Sequence, residues 1–202
     1  MYELPKEAAK LRQRIRRYER AFEKEIAEHG MISDGAGKRF LLAPLYLIMG
    51  DLQGALKSFA WYAEQFPDDC PDPGHYLCWA LALHRGGDGN AASQKLGQAM
   101  LANLYLLPRL FGQPIERLDM WHGSNIDWPE YVDSLPTEFF DIWTGAEQEW
   151  ARQLYDSESF TTIRCEYIDI ETQLGDEPRG PRRSQLVKEA SDLERFENHR
   201  LR

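Results

Sequence analysis

Two stretches of the chain lie on each other without a gap. Residues 39–67 (RFLLAPLYLIMGDLQGALKSFAWYAEQFP) and residues 76–104 (YLCWALALHRGGDGNAASQKLGQAMLANL) coincide at an offset of 37. Ala43 meets Ala80, Tyr46 meets Leu83, Gly50 meets Gly87 and Asp51 meets Asp88. Further on, Ala55 meets Ala92 and Phe59 meets Leu96. Internal similarity of this length constrains a fold more than composition does, because each unit has an apolar face that only a neighbour can cover. Apolar residues recur at three- and four-residue spacing on both sides of each Gly-Asp, which predicts two helices joined by a tight turn. The small residues at 43, 55, 80 and 92 let antiparallel helices approach closely, and the larger ones fill the space between layers.

These residues resemble the tetratricopeptide repeat. Leu42, Ala43, Tyr46, Gly50, Ala55, Phe59 and Pro67 stand at the family's spacing in the first unit. Ala80, Leu83, Gly87, Ala92, Leu96 and Ala99 do so in the second. The departures are Tyr62, where the family usually has Ala, and Leu104 in place of the closing Pro. The resemblance covers about a third of the chain. It implies a pair of helical hairpins with a concave face that takes a protein or peptide partner. The positions it places on that face are Phe40, Pro44, Leu47 and Ile48, then Leu77, Leu81, His84 and Arg85. Most are apolar, so the basic clamp by which some family members hold a C-terminal carboxylate is missing. Such a groove receives either an apolar helix of a partner or one of the chain's own terminal helices.

The other segments also read as helices. Leu11, Ile15, Tyr18, Phe22 and Ile26 share one helix face, with Gly30 as the stop. Phe139, Trp143, Ala146, Trp150 and Leu154 predict a further helix, and Phe160, Ile163, Tyr167, Ile170 and Leu174 another. Leu186, Ala190, Leu193 and Phe196 predict the last. No hairpin of strands is signalled, so the expected class is all-α. Four segments are expected within one compact unit: 1–36, 37–106, 107–156 and 157–202. Two repeats rarely suffice alone, so the first helix and those after residue 128 are expected to cap the stack.

Charge separates the ends from the middle. The net charge is −9, yet residues 6–20 hold seven Lys/Arg against two Glu, while residues 119–178 hold fifteen Asp/Glu against two Arg. Arg12, Arg16, Arg17 and Arg20 are candidate phosphate contacts, which makes a nucleic-acid-associated regulator the alternative to a protein-binding adaptor. Attraction between the basic and acidic segments is the simpler use of those charges. The charged N-terminus has no apolar core for a secretory signal, and no apolar run approaches the roughly 18–20 residues a spanning helix needs. With three cysteines and no CxxC pair, a reduced cytoplasmic setting is expected, and self-association is left open.

Catalytic and metal chemistry find little support. Cys70, His75 and Cys78 have a conceivable ligand spacing but no fourth partner except Asp69 or Asp72. The carboxylates of GAEQEW and EYIDIE are accompanied by no nucleophile and no phosphate loop. Gly35 and Gly37 do not meet the P-loop spacing, and His122 stands alone. The expectation is a non-catalytic interaction module without cofactor or metal.

Overall fold

The computed structural model describes residues 4, 5 and 7–196, and among them the architecture is all-α with no strand. The helices are α1 (Ala8–His29), α2 (Arg39–Ile48), α3 (Leu52–Gln65), α4 (Pro73–Arg85), α5 (Gly89–Ala102) and α6 (Leu106–Leu110). A 3-10 turn (Asn125–Asp127) precedes α7 (Pro129–Ser134), α8 (Glu138–Asp141), α9 (Gly145–Tyr155), α10 (Glu158–Asp176) and α11 (Pro181–Glu194). No described helix is long and apolar enough to cross a membrane.

The hairpins α2–α3 and α4–α5 share their turns bond for bond. Gly50 and Gly87 have φ of 78° and 85°, where a Cβ would be strained. In the first turn Gly50 N–H donates to Leu47 O and Asp51 N–H to Tyr46 O, both at 3.0 Å. In the second, Gly87 donates to His84 O and Asp88 to Leu83 O, both at 3.1 Å. Both helices thus close in the Schellman pattern. The aspartate that follows then caps the next helix, Asp51 accepting from Gly54 N–H at 2.8 Å and Asp88 from Ala91 N–H at 3.0 Å. Ala43, Ala55, Ala80 and Ala92 are all buried, as close helix approach requires.

α1 lies against α2, α2 and α3 both lie against α4, and α10 and α11 cover α5. One apolar cluster runs from Leu4 to Phe196 through every layer. Three sequence expectations need correction. Ile26 shares its helix face with Phe22 but is 41% exposed, because it borders an open cleft between α1 and the α2–α3 hairpin rather than packed core. The pattern from Phe139 to Leu154 is two helices, broken where Thr144 starts α9 with a reciprocal cap to Glu147. Phe196 lies past the end of α11 with φ of 45°, and its ring closes over Gly97, where any side chain would collide with it.

Pro44 interrupts the ladder of α2. Having no N–H, it leaves the Phe40 carbonyl without its usual donor four residues on. His75 supplies the substitute: its Nδ1 lies 2.9 Å from that carbonyl, so Nδ1 carries the proton. The ring is wholly buried among Phe40, Phe59, Tyr62 and Trp79. Burial pushes its pKa down to about 4, so it is neutral at physiological pH.

Candidate functional site

Much of the surface expected to form a groove is covered by the chain itself. α8 packs on both α2 and α4, and Phe139 is buried against Gly74, where an added Cβ would lie 2.8 Å from its ring. Leu47, Leu77 and Leu81 are at most 2% exposed, and Pro44 is buried beside them. His84 stacks on Trp150 with ring centroids 4.0 Å apart. Arg85 donates from Nε to Glu147 Oε1 at 2.7 Å and from one terminal nitrogen to Glu147 Oε2 at 3.0 Å. The same nitrogen donates to Ile142 O at 2.6 Å. Burial alone would raise the Glu147 carboxyl, but the Arg85 and Thr144 donors hold it below the ordinary range. Phe40 turns to Tyr62 and His75, and Ile48 packs against the core. Of the eight expected groove positions Pro44, Leu47, Leu77 and Leu81 are thus buried, and Phe40, Ile48, His84 and Arg85 are partly exposed. The covering residues here come from α8 and α9, which lie after residue 128, while α1 packs on another side of α2.

Among the described residues, none of Arg12, Arg16, Arg17 and Arg20 is ion-paired with the acidic middle. Glu147 pairs with Arg85, and Asp133 with Arg109 at 3.7 Å. Among the described residues, no carboxylate lies within salt-bridge distance of Arg12, Arg16, Arg17 or Arg20. All four are exposed on α1 and, with Ala9 and Gln13, line one shallow concavity. Their apolar counterparts Leu11, Ile15, Tyr18 and Phe22 are buried on the opposite side, which fixes the direction of this face.

A second opening lies between α1 and the α2–α3 hairpin, a cleft of about 300 Å³. Phe22, Leu42, Tyr46 and Trp61 wall it, with Glu19 and Glu23 on the α1 side and Lys57 on the α3 side. Phe22 and Trp61 stack at 5.3 Å, and Tyr46 donates its hydroxyl proton to Glu19.

Residues of the conceivable metal cluster are used otherwise. His75 is spent on Phe40, Cys78 is fully buried with its thiol pushed up by desolvation, and Cys70 is exposed. Among the described residues no group of three His, Cys, Asp or Glu side chains converges as a metal site would need. His122 stacks on Trp128 and contacts the Tyr105 hydroxyl at 3.0 Å, helping to fix the loop.

Two features escaped the sequence reading. Asp34 is 2% exposed and accepts from Lys38 N–H at 3.0 Å and Arg39 N–H at 2.7 Å, so the GMISDGAGK loop anchors the start of α2. A carboxylate cluster also forms where α10 meets α11: Glu171 is 6% exposed and feels Glu194 and Asp127. Burial, then those two charges, push Glu171 up to about 7 against the opposing effect of Arg183. The T-x-x-E of Thr144 and Glu147 could have signalled the break before α9, but nothing local signals the carboxylate cluster. The chain matches no protein-family model, no curated protein and no solved structure.

Proposed function

We propose that this chain is a non-catalytic, cytoplasmic protein-interaction module in which two tetratricopeptide-like hairpins serve as a filled scaffold. Its partner surface is the arginine face of α1, which takes an acidic segment of another protein. The observation that carries the proposal is the exposure of Arg12, Arg16, Arg17 and Arg20 without carboxylate partners. Four guanidinium groups on one helix face repel one another, and a carboxylate-rich segment relieves that repulsion while accepting their planar, paired N–H donors. The matching Schellman turns and aspartate caps support the tetratricopeptide likeness.

The alternative is nucleic acid, and dimensions argue for protein. Arg12 to Arg20 spans about 12 Å of helix. A duplex would run past both ends of so short a face, along the surface of a chain with net charge −9. A short acidic peptide has no such excess charge to accommodate.

The test is anisotropy titration of the whole chain with a labelled glutamate-rich peptide and with labelled single- and double-stranded oligonucleotides, at matched ionic strength. The peptide is expected to bind, with salt-sensitive affinity lost in Arg16→Glu/Arg20→Glu. Tighter binding of an oligonucleotide would replace the protein reading by the nucleic-acid one. Binding of neither would overturn both.

A further inference from the structure

The geometry points to a small-molecule site in the cleft between α1 and the α2–α3 hairpin, suited to an aromatic amine: a flat apolar body with a cationic end. The cleft shares no lining residue with the arginine face.

The walls define the body. Phe22 and Trp61 stack on one another, and Leu42 and Tyr46 complete an apolar lining. Gly54 makes room for this arrangement, since a Cβ there would lie 2.5 Å from the Tyr46 ring. At about 300 Å³ the space is at the small end for ligand pockets, which suits a single bicyclic ring better than a large cofactor.

The polar groups define the charge. Glu19 and Glu23 stand on the α1 side against the one ammonium of Lys57, leaving a net negative mouth. Glu19 is held by the Tyr46 hydroxyl, whereas Glu23 has no partner among the described residues. Ser58 is the second, independent sign. It lines the cleft, is 8% exposed, and its hydroxyl has no hydrogen-bond partner among the described residues. That hydroxyl still reaches solvent in the cleft, where it is available to a ligand's polar group. A cation near the aromatic faces of Trp61 and Tyr46 gains further from their quadrupoles. An anion would meet Glu19 and Glu23 instead.

The experiment compares three indole probes with the same two-carbon linker on the full chain by isothermal titration: tryptamine, its neutral alcohol analogue tryptophol, and indole-3-propionate. Tryptamine is expected to bind at least about tenfold tighter than tryptophol, as a charge-assisted hydrogen bond implies, and indole-3-propionate not at all. Glu23→Gln, an exposed change that leaves packing untouched, should erase most of the preference for the amine over the alcohol. Trp61→Leu should weaken both probes. Absence of tryptamine binding at millimolar concentration, or equal binding of the acid, overturns the assignment. Preference for the amine that survives in Glu23→Gln/Glu19→Gln overturns it as well, because the carboxylates would then not be its source.

Discussion

His75 compensates for a proline thirty-one residues earlier, and the pairing can be measured. In His75→Leu the Phe40 carbonyl loses its donor, since Pro44 has no N–H to offer. An interior carbonyl left unsatisfied costs about 1–3 kcal/mol. In a Pro44→Ala background the regular helix bond to Phe40 O returns, so the same His75→Leu change should cost only its packing difference. The double-mutant cycle is therefore expected to give a coupling of about 1–2 kcal/mol, well beyond the few tenths by which independent sites depart from additivity. Urea unfolding followed by circular dichroism at pH 7.5 reads all four corners. Acid supplies a second arm. His75 is depressed to about 4 from the ordinary 6.5, so its contribution is present above pH 6.5 and is lost as pH falls through 6.5 toward 4. A depression of that size corresponds to roughly 3 kcal/mol at the acid end. Lys95 and Arg39 act in the same direction and Asp69 against them. His75→Leu should flatten that acid limb. Equal cost of His75→Leu in both backgrounds, or an unchanged acid limb, would refute the reasoning.

Glu171 carries the opposite slope: its pKa is raised to about 7 from 4.5, so the folded state is penalised as pH rises from 4.5 to 7. Glu171→Gln should leave stability unchanged at pH 4.5 and raise it by up to about 3 kcal/mol at pH 8, read by urea midpoints. The charges facing that carboxyl are Glu194, Asp127 and Arg183, so the same series on Glu194→Gln reports how far the cluster titrates together. Arg85→Met should cost about 1.5–3 kcal/mol, because it abandons both Glu147 oxygens and the Ile142 carbonyl; proteolysis within 129–150 should accelerate with it. Gly87→Ala should cost about 1–2 kcal/mol for its left-handed φ, measured by thermal melting, and Gly50→Ala a similar amount.

What could be read from residues alone was what is settled within one or two helical turns. The apolar stripes of α1, α10 and α11 and the Gly-Asp turns are local periodicities and local backbone demands, and apart from Ile26 and Phe196 they reappear at the expected numbers. What covers the expected groove positions is a different kind of fact. Arg85 meets Glu147 across 62 residues and Asp72 meets Tyr131 across 59, and no spacing rule reaches that far. The apolar residues read as a partner groove were visible as a local pattern, but what covers them is a tertiary matter. Pro44 shows the same limit: its missing donor is visible in sequence, while the histidine that answers it comes from the next hairpin.

The covering of the expected groove positions by a later segment has a consequence for synthesis. Leu81 is made 58 residues before Phe139. At roughly 5–20 residues per second the ribosome takes about 3–12 s to bridge that interval. Both hairpins can close in that time, since each turn and cap is encoded within its own unit. Their shared greasy side nevertheless stays bare until α8 and α9 emerge, so the nascent chain passes through a stage in which it presents to chaperones a surface that the finished molecule never shows.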